Sequence, residues 1–91
     1  MDYKTYEVRE WFDGTIEYYK DNKRHREDGP AIEHIDGGKY WYKNGKQHRE
    51  DGPAVESYSG VKYYYINGVN YTKEEYCNKI YVDKFLKLFL K

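Results

Sequence analysis

His25-Arg26-Glu27-Asp28-Gly29-Pro30-Ala31-Ile32-Glu33 recurs as His48-Arg49-Glu50-Asp51-Gly52-Pro53-Ala54-Val55-Glu56, 23 residues later. The flanks keep this register. Thr15–Lys20 aligns with Gly38–Lys43 and then with Val61–Ile66, and the pair Asp21-Asn22 aligns with Asn44-Gly45 and Asn67-Gly68. Three units at one period, without a gap, mark a repeat architecture. The third unit breaks off at Tyr71, where the other two carry His25 and His48.

Each unit reads as a β-hairpin. Asp13-Gly14, Asp36-Gly37-Gly38 and Ser59-Gly60 are turn signals. Asn44-Gly45 and Asn67-Gly68 are stronger ones, because Asn and Gly tolerate the positive φ of tight turns. The strands expected between them are Lys4–Phe12, Thr15–Lys20, Ala31–Ile35, Lys39–Lys43, Ala54–Tyr58 and Val61–Ile66. Pro30 and Pro53 open strands, since proline has no N–H for a ladder. The stretch Lys46–Pro53 exceeds a tight turn and is expected to form a compact loop along one sheet edge.

Thr72-Lys73-Glu74-Glu75 is a capping box, in which Thr72 caps and Glu75 reaches back. Beyond it, Tyr76, Ile80, Lys84 and Lys87 follow a helical period, as do Cys77, Tyr81, Phe85, Leu88 and Phe89. One amphipathic helix is expected from Lys73 to about Leu90. The fold class is therefore α+β, mainly β: a twisted antiparallel hairpin meander of three 23-residue units with a helix capping its open end. Length agrees. The 91 residues point to one domain, with repeats over 1–71 and the helix over 72–91. A chain of this size buries roughly 60–65% of its unfolded surface, so no large enclosed cavity is expected.

Composition narrows the function. Lys and Arg number 16 and Asp and Glu 16. A net charge of zero argues against general nucleic-acid binding, which needs excess cations to displace phosphate counterions. Cys77 is the only cysteine, which fits a reducing compartment better than a disulfide-stapled secreted fold. The start, MDYKTYEVREW, has no apolar run of the signal-peptide kind. The most apolar stretch, Phe85–Leu90, is interrupted by Lys87 and is too short to span a bilayer. A cytoplasmic location is expected.

The repeated polar box invites chemical readings: a metal held by His25, Asp28, His48 and Asp51, or a His/Asp acid–base pair. Equivalent residues one repeat apart stand two strands apart, about 10 Å. One zinc ion needs every donor within about 2.0–2.3 Å. No metal, cofactor or catalytic residue is assigned. The preferred reading is structural: Asp28 and Asp51 accept backbone N–H groups, Gly29 and Gly52 supply unusual backbone before proline, and Arg26 and Arg49 pair with glutamates or carbonyls of the neighbouring loop. A turn is needed in every unit, whereas a catalytic site is normally unique.

Aromatic residues make up 20% of the chain, with 13 tyrosines. Such side chains favour pleated surfaces and binding surfaces alike. Strand alternation separates them into two faces. One carries Ile16, Tyr18, Trp41, Tyr64 and Ile66, fringed by Lys20, Lys39, Lys43 and Lys62. The other carries Glu17, Tyr19, Tyr40, Tyr42, Tyr63 and Tyr65. The helix can cover one of them in part. Tyr19, Tyr40, Tyr42, Tyr63 and Tyr65 are the candidate partner-binding residues, with Trp11, Tyr18, Trp41 and Tyr64 in the core or on the second face. Phe85, Leu86, Leu88, Phe89 and Leu90 wrap the helix and are candidates for a dimer contact or for packing on the sheet.

The unit Tyr40-Trp41-Tyr42-Lys43-Asn44-Gly45-Lys46-Gln47-His48-Arg49 resembles a MORN repeat, over about residues 11–71. The string His-Arg-Glu-Asp-Gly-Pro-Ala resembles a variant found in small bacteriophage, bacterial and giant-virus proteins. Here Glu27-Asp28-Gly29 and Glu50-Asp51-Gly52 intervene where the standard repeat has Gly-x-Gly. The resemblance implies a twisted meander used for dimerisation and protein contacts, without catalytic residues. It also implies a purpose: a phage- or virus-encoded protein that blocks or scaffolds a host protein, as anti-defence inhibitors of the anti-CRISPR type do. The alternatives are a homo-oligomeric structural protein, or single-strand nucleic-acid binding by base stacking on Tyr18, Trp41 and Tyr64 beside Lys39, Lys43 and Lys62.

Overall fold

The computed structural model describes residues 6–89, Phe89 by its backbone alone. The strands are β1 (Glu7–Glu10), β2 (Ile16–Lys20), β3 (Lys23–Arg24), β4 (Ile32–Glu33), β5 (Lys39–Tyr40), β6 (Tyr42–Lys43), β7 (Lys46–Gln47), β8 (Val55–Glu56), β9 (Lys62–Ile66) and β10 (Val69–Tyr71). One helix, α1 (Lys73–Phe89), follows. All pairings are antiparallel. The main sheet runs β1-β2-β4-β5-β8-β9-β10, with β3 beside β2 and with β6-β7 as a separate hairpin. The architecture is thus a mainly antiparallel β meander with one C-terminal helix.

The repeat holds at the level of single hydrogen bonds. Trp11, His34 and Ser57 donate their N–H groups to the carbonyls of Thr15, Gly38 and Val61, closing the same loop three times at 2.7, 2.8 and 2.9 Å. Each loop turns on a glycine with positive φ: Gly14 and Gly37 at 96° and Gly60 at 90°. The second turn of each unit also needs the left-handed region. Asp21 and Asn22 sit at φ 52° and 63°, Asn44 and Gly45 at 53° and 83°, and Asn67 and Gly68 at 50° and 81°. Successive positive φ values close two-residue hairpins whose twist matches the strands they join.

Several expected boundaries move. The strand expected over Lys4–Phe12 is Glu7–Glu10, with Lys4 outside the described residues, and those over Ala31–Ile35 and Ala54–Tyr58 shrink to two residues each. The strand over Lys39–Lys43 is interrupted at Trp41, which donates its N–H to Ala54 O and accepts from His48 N, so it bridges two ladders. The segment expected to be a loop after Lys46 begins as a strand. Each unit carries such a third short strand: β3, β7 and β10.

The core is thin: the molecule measures only 16 Å across its narrowest axis. Ala31 and Ala54 are fully buried, and Val55, Ile66 and Tyr76 nearly so. The capping box forms in both directions. Thr72 N donates to Glu75 Oε1 at 2.9 Å and Glu75 N to Thr72 Oγ1 at 3.1 Å. The bond from the Thr72 N–H, then that of the Thr72 hydroxyl, holds the Glu75 carboxyl below the ordinary range.

The helix departs most from expectation. It packs on β9 and β10 at the end of the repeat. Tyr76 is buried, Lys79 and Ile80 are half-buried, and every side chain from Tyr81 to Leu88 is exposed. Phe85, Leu86 and Leu88 therefore do not pack on the sheet. Leu90 lies outside the described residues, and the side chain of Phe89 is not described. The reason is spacing: Tyr76 seats the helix by its first turns, and no second layer of apolar sheet residues continues beneath the rest.

Candidate functional site

The first polar box builds a bracket within its own loop. Arg26 Nε donates to Asp28 Oδ1 at 3.1 Å, and one guanidinium N–H reaches Pro30 O at 3.2 Å. Arg49 repeats this with Asp51 at 2.9 Å and Pro53 O at 3.0 Å. The aspartates thus hold a guanidinium, and the arginines pair with glutamates, Arg26 with Glu33 at 3.6 Å and Arg49 with Glu56 at 3.9 Å, while the carbonyl each takes belongs to its own loop instead of the neighbouring one. The glycines have a steric reason. A Cβ at Gly29 or Gly52 would stand 3.0 Å from Cζ of Arg26 or Arg49. Each guanidinium then covers an aromatic ring: Arg26 lies 4.0 Å from the Tyr18 centroid and Arg49 3.8 Å from that of Trp41. In the third unit Thr72 stands in place of arginine, and Tyr76 of α1 covers Tyr64 at 4.9 Å between centroids.

The histidines tie one unit to the next. Asn44 N donates to His25 Nδ1 and Asn67 N to His48 Nδ1, both at 3.0 Å. Each imidazole must accept at Nδ1, so neither nitrogen pair is arranged as a metal ligand set. Among the described residues no three His, Cys, Asp or Glu side chains gather into a metal-holding group. Burial lowers the His48 pKa, with Glu50 opposing and Lys43 adding to the shift. Its folded pKa lies below its unfolded one, so its stabilisation is complete above about pH 6.5 and declines as pH falls through the folded value. Replacement of His48 by alanine is expected to cost about 1–2 kcal/mol, because the Asn67 N–H loses its acceptor. His48→Asn recovers part of this loss through its carbonyl oxygen. Urea titrations at pH 7.5 and pH 5 check both: the wild type loses stability between them, and His48→Ala loses less.

On the opposite face, register sets Glu17, Ile32, Tyr40, Val55 and Tyr63 in one row across β2, β4, β5, β8 and β9. Tyr63 is 49% exposed, while Tyr19, Tyr40, Tyr42 and Tyr65 are half-buried. Arg9 lies 4.1 Å over the Tyr19 ring and Arg24 5.7 Å over that of Tyr42. The structure therefore brings the five candidate tyrosines onto one surface, which α1 leaves uncovered.

One feature of this face escapes a reading by residue class. Glu17 is only 6% exposed and interrupts the tyrosine column. Its carboxylate accepts from Trp11 Nε1, from Tyr19 OH at 3.1 Å and from Arg24 Nε at 3.1 Å. Burial alone would raise its pKa; the bonds from Trp11, Tyr19 and Arg24 outweigh burial and hold it below the ordinary value. Trp11, expected in the core or on the second face, instead stands exposed on this one, where it walls an open cleft of about 640 Å³ with Phe12, Tyr40 and Tyr42. The signal was present in the alignment of units: Glu17 stands where Tyr40 and Tyr63 stand, and Trp11 where His34 and Ser57 stand. The cluster is unique to the first unit.

No helix among the described residues is long and apolar enough to cross a membrane. No protein-family model, no curated protein and no solved structure matches the chain.

Proposed function

We propose that this chain is a non-catalytic binding module that holds a protein partner on the tyrosine face of its sheet. The observation that carries the reading is the seat of α1. Tyr76 packs against Tyr64 on one face, and Tyr40, Tyr42, Tyr63 and Tyr65 on the other stay free of the helix. A rigid sheet presenting phenol rings loses little side-chain entropy on binding, and the Glu17–Trp11–Arg24 cluster adds polar groups that fix orientation. The MORN-like reading of the repeat belongs to the same proposal, as do a cytoplasmic setting and the purpose that the resemblance implies, blocking or scaffolding a host protein.

The nucleic-acid alternative fares worse on this geometry. The three rings it needs are each covered on one side: Tyr18 by Arg26, Trp41 by Arg49 and Tyr64 by Tyr76. Bases stack on open ring faces. A labelled single-stranded oligonucleotide is therefore expected to show no salt-dependent shift.

A tagged pull-down from lysate of the native cell, compared with a Tyr42→Ala/Tyr65→Ala variant, tests the reading. One protein recovered by the wild type and lost from the folded variant is the expected result. Equal recovery by both, or only bait in both, contradicts it.

A further inference from the structure

We propose that α1 is an anchor for the surface of an anionic phospholipid bilayer. The proposal goes beyond the tyrosine-face reading and does not rest on it. The helix is amphipathic in an inverted sense. At about 100° per residue, the side that bears Tyr76 and Ile80 faces the sheet. The opposite arc, about 180° wide by the same count, carries Cys77, Tyr81, Val82, Phe85, Leu86 and Leu88, with Asn78 as its one polar residue beyond the first turn. All six are exposed, Tyr81 by 70% and Leu88 by 68%. Tyr81 and Phe85 stack at 6.3 Å with an interplanar angle of 18°, which makes a flat aromatic patch on that arc. An apolar arc that points away from its own core is satisfied only from outside the chain.

Charge placement selects the occupant. Lys79 stands just beyond one border of the arc and Lys84 just beyond the other, where it also lines the polar cleft beside Glu27, Asp28, Glu50 and Asp51. Between Lys79 and Lys91 the sequence holds four lysines and one acid, Asp83, which pairs with Lys79 at 3.8 Å. Lysines on both borders extend their stems along an apolar surface and set their ammonium groups at phosphate level. A second copy of the helix fits less well. In a parallel pair Lys79 would meet Lys84 of its mate, and in an antiparallel pair Lys73 and Lys84 would share a border. The acidic residues Glu74 and Glu75 lie in the first turn, so insertion begins near Tyr81. The helix would lie in the interface plane, not across the bilayer. The tyrosine face would then point away from the lipid, on the far side of the sheet.

Flotation of the full chain with vesicles tests this. One set is phosphatidylcholine alone and the other contains phosphatidylserine as a minority component. The expected result is binding to the second set, weaker by roughly tenfold or more on the first set or at high salt. Val82→Asp/Leu86→Asp changes two exposed positions and should abolish binding while leaving the circular dichroism spectrum and Tm unchanged. Lys79→Ser/Lys84→Ser should remove the preference for phosphatidylserine. The proposal is overturned if the folded wild type ignores both vesicle sets, or if Val82→Asp/Leu86→Asp binds as well as the wild type. Sedimentation equilibrium supplies a further contradiction: a wild-type dimer that Val82→Asp/Leu86→Asp dissociates would assign the arc to a second copy.

Discussion

Replacing Tyr76 by alanine lowers stability by about 3–5 kcal/mol, the largest loss expected from any single residue among those described. Tyr76 is the one nearly buried side chain among the described ones of α1, at 5% exposure. Its ring packs against Tyr64 at 4.9 Å, and its hydroxyl donates to Arg49 O at 2.5 Å and accepts from Gly52 N at 3.2 Å. Burial pushes its pKa up from a value already well above neutral, so the phenol is the donor to that carbonyl. Truncation removes a buried ring, orphans two backbone groups and unseats the helix from the third unit. Tyr76→Phe keeps the ring and loses only the hydroxyl, so it should cost about 1–2 kcal/mol. Urea unfolding followed by circular dichroism separates the two. Equal losses for both variants would assign the anchoring to the hydroxyl alone.

Glu17→Ala is the second large effect, about 2–3 kcal/mol. The carboxylate serves three donors, and its removal leaves Trp11 Nε1 and Tyr19 OH without their acceptor. The value sits below that for a fully buried ion pair because the Arg24 side chain is 44% exposed and rehydrates. Glu17→Gln should lose less, since an amide oxygen still accepts. The same residue sets an acid dependence. Its folded pKa lies below the unfolded one, so its contribution is present above about pH 4.5 and is lost as pH falls through the depressed folded value. In Glu17→Ala that part of the acid transition disappears. An unchanged acid limb would show that Glu17 is not coupled to folding.

How much of this was legible in the chain depended on whether a feature was repeated. Loops closed by Gly14, Gly37 and Gly60 recur three times, and a backbone demand for positive φ selects a narrow set of residues. The capping box was legible for the same reason, since Thr72 and Glu75 satisfy each other locally. What stayed hidden was long-range. Arg26 and Arg49 were read as charges for pairing, yet their larger role is to cover Tyr18 and Trp41. That contact depends on how the loop folds back, which residue type does not disclose. Gly29 and Gly52 were read as backbone devices; Gly52, at φ 159°, is one, while the requirement both share is space for a guanidinium. The helix misled because amphipathic periodicity finds an apolar arc without saying where it points. A sheet this thin offers Tyr64 as a seat and little beyond it. Glu17 was passed over because it was read as one acidic residue among 16, although the alignment of units sets it alone where Tyr40 and Tyr63 stand.

The central claim, that the helix-free tyrosine face is the binding surface, is tested most directly by site-specific photocross-linking. A benzophenone amino acid is placed at Tyr63, the exposed ring of that face, and in a separate protein at Lys62, its neighbour on the opposite face. Irradiation in native lysate should give one discrete adduct from position 63 and none from position 62. An adduct from position 62 alone, or the same adduct from both, would contradict the claim.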